Sequence, residues 1–293
     1  MVESYHDSLS RLHEHVAHDA PYPARKLSYA TSADHPLKAL TIRTIEWATA
    51  KIPLMRRVRR FERHGRPDGQ AFWSTALEVM GIDLVTPEAI IQRIPRSGPV
   101  VIVANHPHGL VDGMVLAEVI GRVREDYKIL TRSLLTGVAE IDRFMIPVPF
   151  PHEADALQQN LVMRRRSMEH LSAGGLVALF PSGVVASSDT AFGPAIERPW
   201  NAFTAKMIPR SGATVVPIFF PGSNSRFYQV ASHISATLRQ SLLLYEVHHS
   251  LDKPPAPIVG PAIPPEEWRP LAANQTAFMD WLRDRTLSLE KVR

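Results

Sequence analysis

Apolar runs rich in β-branched residues recur along the middle of the chain and alternate with segments of helical periodicity. The runs PVVIVA (99–104), LVALFP (176–181) and ATVVPIFFPG (213–222) are typical of strands buried on both faces of a sheet. Helical patterns lie between or beside them, at about 113–123, 152–175 and 198–211. This alternation predicts an α/β fold with a mostly parallel central sheet flanked by helices.

The other segments carry weaker patterns. Two shorter strand candidates lie at 128–133 and within 141–150, and a C-terminal helix is predicted at about 274–289. The run Leu238–Val247 is compatible with a strand or a helix. The proline-rich segment 251–270 is predicted to be a surface loop.

The N-terminal third differs from the rest because it is helical and basic. Apolar residues follow helical spacing from Pro36 until Pro53 interrupts the pattern, and further helices are predicted at about 54–63 and 70–80. These patterns divide the chain into a flexible arm at 1–35, an amphipathic basic helical segment at 36–90 and an α/β domain at 91–293.

Positive charge is concentrated in residues 51–66, whose local net charge of +6 exceeds the +4 of the whole chain. Arginines attract anionic lipid headgroups, and apolar side chains between them can enter the interface. This segment predicts docking on an anionic membrane surface through Arg56, Arg57, Arg59, Arg60 and Arg63. The structural alternative is a solvated, salt-bridged helix face. Nucleic-acid binding is disfavoured because no recognition fold accompanies the basic segment.

Two features of the composition exclude classes of protein. Cysteine is absent, which excludes a disulfide framework, a thiol nucleophile and a cysteine zinc site. No apolar stretch approaches the ~20 residues of a spanning helix, and the N-terminus lacks the apolar core of a secretory signal. We therefore expect any contact with a membrane to be peripheral.

A histidine-rich turn, NHPHGLVDG at 105–113, follows the first apolar run directly. Sites in open α/β sheets lie beyond the carboxyl ends of strands, so the turn is well placed for catalysis. An imidazole can act as a base near neutral pH, and an aspartate one turn away can bond its far nitrogen. The structural alternative is a pair of loop histidines with Asp112 capping the next helix.

Two later apolar runs also end in polar turns. The turn FPSG at 180–183 has small residues that let a ligand approach the backbone N–H groups. The turn PGSNSR at 221–226 ends in a guanidinium that can bind a phosphate or carboxylate. Each turn taken alone favours a structural role.

Taken in order, the segments VIVANHPHGLVDG, KILTRS, LVALFPSGVVASS and TVVPIFFPGSNSRFY resemble the lysophospholipid acyltransferase family of PlsC-like glycerolipid acyltransferases. They are more similar to its bacterial hemolysin-like branch, which includes ornithine-lipid O-acyltransferases. That branch has N-H-P-x-G-x-x-D-G after a strand, a strand with arginine, F-P-x-G, and V-V-P-hydrophobic-G-x-N-S-R. The resemblance extends over about 98–247, half of the chain.

The resemblance implies acyl transfer to a lysolipid hydroxyl from a thioester of acyl carrier protein or coenzyme A. No bound cofactor, metal or covalent acyl-enzyme is expected. His106 would act as the general base and Asp112 would orient it, because their five-residue separation matches the hemolysin-like branch. Backbone N–H groups near the histidine turn or near Ser182-Gly183 would stabilise the oxyanion.

The same resemblance implies a substrate-binding set and a location. The set is Asn105, His108, Gly109, Arg132, Phe180, Pro181, Ser182, Gly183, Asn224 and Arg226. The location is peripheral, on the cytoplasmic face of the inner membrane. The partners are an anionic membrane surface, acyl carrier protein and a lysolipid, without nucleic acid.

One departure from the family bears on the acceptor. Ser182 stands where the phospholipid enzymes have glutamate, and Val184 and Val185 follow it in place of an arginine. A charge that reads phosphate is therefore missing, which favours a lyso-amino-acid lipid over lysophosphatidic acid. Arg132 aligns with a basic family position that can bind a carboxylate or phosphate.

Two other functions stay open at this point. The spacing His106-x-His108 is common among metal ligands, and Asp112 offers a further ligand for a metal-dependent hydrolase. No second ligand motif accompanies it. The changes at Ser182 and Val184 also suit a non-catalytic lipid-binding protein that retains the fold.

Overall fold

A computed structural model describes residues 22, 27–131, 138–150, 153 and 155–292. The α-helices are α1 Pro36–Glu46, α2 Ile52–Arg63, α3 Ala71–Met80, α4 Glu88–Ile91, α5 Leu110–Gly121, α6 Ala156–Ser172, α7 Ala202–Ser211, α8 Arg226–Ile234, α9 Ala236–Ser241, α10 Leu243–His249, α11 Pro265–Trp268 and α12 Gln275–Leu287. The strands are β1 Val100–Ala104, β2 Tyr127–Thr131, β3 Met145–Pro147, β4 Leu176–Leu179, β5 Ser187–Ser188, β6 Ala195–Ile196, β7 Thr214–Phe219 and β8 Ile258–Val259. Within the described ranges, no helix combines the length and the apolar composition needed to cross a membrane.

Six of these strands form the central sheet, in the order β3-β2-β4-β1-β7-β8. The first five strands run parallel, and β8 runs antiparallel to β7. This confirms the predicted α/β fold with a mostly parallel sheet. β1 lies between β4 and β7, with Val103 paired to Leu179 and Ala104 paired to Ile218. The carboxyl ends of these three strands therefore meet at one edge of the sheet.

Helices cover both faces of the sheet because the side chains of β1 alternate between two apolar layers. Val100 and Ile102 belong to a cluster that includes Trp73 of α3 and Val115 of α5. Val101 and Val103 face a second cluster, to which α6, α7 and α12 contribute. The burial of Trp73 places α3 against the sheet. The boundary at residue 91 stays a prediction, and the arm at 1–35 lies largely outside the described residues.

The structure corrects the predicted break at Pro53. The chain is helical from residue 36 to residue 63, with a π-helical segment at Trp47–Lys51 between α1 and α2. Pro53 is the second residue of α2 and follows the π-helical segment, whose wider hydrogen-bond pattern interrupts the regular α-helical ladder just before it.

The segments downstream of β7 also differ from prediction. The ambiguous run Leu238–Val247 is helical and is shared by α9 and α10. The segment 251–270 is not a surface loop, because it contains β8 and α11 and buries Val259, Ile263 and Trp268. Prolines separate these apolar residues, so the sequence shows no helical or strand periodicity from which their burial could be predicted.

Candidate active site

The turn after β1 brings His106 and Asp112 together. The ring nitrogen Nδ1 of His106 lies 3.0 Å from Oδ2 of Asp112. The His106 side chain is 17% exposed and that of Asp112 is 1% exposed, so the pair is open only at its histidine end. An ionised carboxylate only accepts hydrogen bonds, so Nδ1 carries the proton and Nε2 is free to act as a base.

Asp112 also organises the backbone of the turn. It lies in the first turn of α5, and its Oδ2 accepts the N–H groups of His108 at 2.8 Å and Gly109 at 3.0 Å. Gly109 adopts a positive φ of 80°, which favours glycine. One carboxylate therefore both caps the first turn of α5 and bonds the His106 ring, so its geometry is compatible with both alternatives that the sequence left open.

Phe180 and Glu197 support the histidine from two further sides. The ring of Phe180 stacks on that of His106, with 4.0 Å between centroids. Oε2 of Glu197 accepts the backbone N–H of His106 at 3.0 Å, and Oε1 accepts the indole N–H of Trp200 at 3.0 Å. Burial raises the pKa of the Glu197 carboxyl, and these two hydrogen bonds oppose that rise. The sequence analysis missed Glu197 because it lies in no strand-end motif.

Asn105 and His108 connect the histidine turn to the turn after β7. The Asn105 amide donates to the carbonyl of Phe220 at 2.8 Å and accepts the Phe220 N–H at 2.6 Å. Nε2 of His108 lies 2.9 Å from the carbonyl oxygen of Pro221, to which it donates. Both side chains therefore hold two strand ends together.

Among the described residues, Asn224 and Arg226 form no hydrogen bond with the histidine turn. Asn224 is buried, and its side-chain amide has no hydrogen-bond partner within the described ranges. Arg226 is exposed and donates to the carbonyl groups of Phe192 and Gly193. Arg132 lies outside the described residues.

A cavity of about 620 Å³ opens beside His106 at the carboxyl edge of the sheet. Of the predicted binding set, Gly109, Phe180 and Gly183 border it, whereas Asn105, His108, Pro181, Ser182, Asn224 and Arg226 do not. Most of the remaining lining is apolar and includes Leu110, Leu130, Met163, Leu179 and Leu243. Such a lining suits a fatty acyl chain.

Two arginines outside the motifs also border this cavity, Arg164 on α6 and Arg239 on α9. The run Arg164-Arg165-Arg166 was a visible signal for the first, although it does not show which arginine faces the site. Nothing in the sequence distinguishes Arg239 from other surface arginines.

The two histidines of the His-x-His spacing have separate protein partners, Asp112 for His106 and the Pro221 carbonyl for His108. Across the part of the chain that the structure describes, no group of three or more His, Asp or Glu side chains is arranged to hold a metal ion.

A comparison with protein families bears on the class of this site. A protein-family model described as acyltransferase matches residues 68–245, a span that contains His106, Asp112 and the cavity arginines. A solved structure, the 1-acyl-sn-glycerophosphate (LPA) acyltransferase PlsC from Thermotoga maritima, is similar at 13% sequence identity and a TM-score of 0.49. That similarity covers 76% of this chain and 77% of the other. No curated protein matches the chain.

Proposed function

The chain belongs to the acyltransferase family whose model matches residues 68–245, and from that membership we propose which acyl transfer it catalyses. The chain moves a fatty acyl group from a thioester of acyl carrier protein or coenzyme A to the hydroxyl of a lysolipid. It acts peripherally at the cytoplasmic face of a bacterial inner membrane. The observation that carries the proposal is the His106–Asp112 pair, which opens onto a largely apolar cavity.

The geometry supports a direct transfer without a covalent acyl-enzyme. Nε2 of His106 removes the proton of the acceptor hydroxyl, and the oxygen attacks the thioester carbonyl carbon. The carbon–sulfur bond then breaks, and the leaving thiolate takes the proton from the imidazolium. Asp112 stabilises that imidazolium through Nδ1, and base catalysis of this kind contributes about 10²–10⁴-fold in rate.

The acceptor that we propose is a lyso-amino-acid lipid, such as a lyso-ornithine-type lipid. Support comes from Ser182, where the phospholipid enzymes have glutamate. The Ser182 hydroxyl donates to the carbonyl of Val184 at 2.9 Å, and Ser182 does not border the cavity. Val184 and Val185, which follow Ser182 and border the cavity, stand in place of an arginine and provide no positive charge to bind a phosphate.

The reaction is tested by thiol release from acyl carrier protein and coenzyme A thioesters, with lyso-ornithine lipid and lysophosphatidic acid offered in parallel. We expect turnover that requires an acceptor and is faster with the amino-acid lipid. Faster turnover with lysophosphatidic acid would contradict the acceptor. Lipid binding without thiol release for any pair would favour a lipid-binding protein, and hydrolysis abolished by chelation would favour a metal-dependent hydrolase.

The membrane-docking surface that we propose lies on α1, α2 and the π-helical segment between them. Leu37, Leu40 and Trp47 are 68%, 60% and 65% exposed, a degree of exposure that is unusual for large apolar side chains on one helical path. Such side chains can enter the headgroup region of a bilayer.

The arginines of α2 divide into two groups. Arg56, Arg60 and Arg63 are exposed and form no ion pair within the described ranges. Arg57 donates to the Val79 carbonyl at 2.7 Å and pairs with Asp252 at 3.0 Å, so it fastens α2 to the fold. Arg59 pairs with Glu62. We therefore propose that the first group contacts the membrane and that Arg57 and Arg59 do not.

Replacement of Arg56, Arg60 and Arg63 together by Gln is expected to weaken binding to phosphatidylglycerol-rich vesicles roughly a hundredfold. Each arginine near an anionic surface contributes about 1 kcal/mol, and each 1.4 kcal/mol is tenfold. Vesicle flotation measures the change. The control replaces the exposed Arg165, Arg166 and Arg210, which removes the same charge and should leave binding nearly unchanged. Equal losses in both triple variants would contradict a localised surface.

A further inference from the structure

The cavity beside His106 carries positive charge without a matching carboxylate. Its charged border residues are Arg164 and Arg239, and no Asp or Glu of the described residues borders it. Most of the other lining is apolar. A molecule that complements this cavity has a long apolar part and an anionic group.

Arg239 is the less hydrated of the two arginines. It is partly buried on α9, and its guanidinium has neither a hydrogen bond nor an ion pair within the described part of the chain. A charge removed from water is unfavourable unless a partner replaces its hydration. A phosphate or carboxylate matches the planar donor fork of a guanidinium and would supply that partner.

Tyr228 on α8 is a second, independent observation. It borders the cavity and is only 2% exposed, yet its hydroxyl forms no hydrogen bond within the described ranges. The hydroxyl oxygen itself keeps some accessible surface, so it is open to a ligand in the cavity. Burial raises the pKa of Tyr228 to about 12, against the opposing effect of nearby Arg239. The hydroxyl therefore remains protonated at neutral pH and can donate to an anion.

Arg164 lies in a different environment. Its guanidinium is exposed and lies over the ring of Phe203, 5.5 Å from the ring centroid. α6, which carries Arg164, packs on the face of the sheet that carries Val101. α10, which follows α9, packs on the opposite face, which carries Ile102. Water already solvates Arg164, so its charge does not require a ligand.

We propose that Arg239 and Tyr228 form an anion-binding subsite that holds the phosphate or carboxylate of the amphipathic acyl acceptor. The acyl part of the acceptor lies along the apolar lining, so that the hydroxyl reaches His106. The identification of the ligand as an acyl acceptor rests on the proposed function. The binding of an anionic lipid by the subsite does not depend on that function. The subsite supplies positive charge that the turn at Ser182 lacks.

The test measures lipid affinity by equilibrium dialysis, at lipid concentrations below aggregation. The probes are oleoyl lysophosphatidic acid, N-oleoylglycine, uncharged monooleoylglycerol and inorganic phosphate. We expect wild type to bind both anionic lipids at least about tenfold more tightly than the uncharged one, which equals about 1.4 kcal/mol. Arg239→Gln is expected to abolish this preference and Tyr228→Phe to reduce it about threefold. Arg210→Gln, which removes an exposed arginine outside the cavity lining, should retain it.

Several outcomes would overturn the subsite. They are equal affinity of wild type for charged and uncharged lipids, a preference that survives Arg239→Gln, and a preference that Arg164→Gln removes in its place. Competition by inorganic phosphate as strong as that by lysophosphatidic acid would identify a site for free anions. Thermal unfolding of each variant verifies that it folds.

Thiol release on the same variants separates the two proposals. Acceptor-dependent turnover without any preference for anionic lipids means that the subsite is wrong and the reaction stands. A preference for anionic lipids that depends on Arg239, without thiol release in any donor and acceptor pair, means that the subsite stands and the proposed reaction is wrong.

Discussion

Replacement of His106 by Ala is expected to lower the rate of acyl transfer about a thousandfold or more and to leave the protein folded. Among the described residues that border the cavity, the His106 imidazole is the one group with a ring nitrogen held by a carboxylate. Its loss removes the base and the positive charge that forms on it, a combined effect of about 10²–10⁴-fold or more. Thiol release under saturating donor and acceptor measures the change.

The fold is expected to tolerate this change because His106 contributes little to the core. Its side chain is partly exposed and touches the core mainly through the Phe180 ring. Asp112 keeps its two backbone donors in the variant. His233→Ala, which removes an exposed histidine from α8, is the matched control and should retain full activity. A His106→Ala enzyme of wild-type rate would contradict the mechanism, and a loss confined to His108→Gln would move the base to His108.

Replacement of Asp112 by Asn is expected to lower the rate about a hundredfold or more and, unlike the change at His106, to destabilise the protein. Oδ2 of Asp112 accepts three N–H groups, from the His106 ring and from the backbone of His108 and Gly109. An asparagine has one acceptor oxygen, so its N–H₂ group must take either the position of Oδ2 or the buried position of Oδ1, which has no hydrogen-bond partner among the described residues. If its amide N–H₂ faces the imidazole, Nδ1 becomes the acceptor, the proton moves to Nε2 and the base is lost.

The cost in stability follows from burial. Asp112 is 1% exposed, so a mismatched amide leaves a buried polar group without a partner, at about 1–3 kcal/mol. The measurements are kcat and the midpoint of thermal unfolding, compared with those of His106→Ala. A variant that loses stability but keeps its full rate would show that Asp112 only caps α5.

Features encoded by neighbouring residues could be predicted from the sequence. The apolar runs of β1, β4 and β7 are continuous because both faces of those strands are covered, and burial of this kind is visible in the local pattern. His106 and Asp112 lie within one turn of chain, so the geometry of a strand followed by a helix brings them together. The resemblance of the motifs added the class of reaction.

Features that depend on contacts between distant residues could not be predicted in this way. Glu197 reaches the His106 backbone across 91 positions, and Asn105 bonds Phe220 across 115. Arg239 borders the cavity on α9, a helix that packs against α1 from the distant N-terminal part of the chain. Trp268 is buried although prolines surround it.

The sequence by itself therefore determined the fold class and the pairing of His106 with Asp112 in one turn, because apolar periodicity and a short polar loop are local properties. Only the tertiary structure decided which residues surround that turn, which arginines face the cavity and which hold the fold. The physical reason is that strand order and helix packing bring together side chains whose sequence separation is large. No local pattern records those contacts.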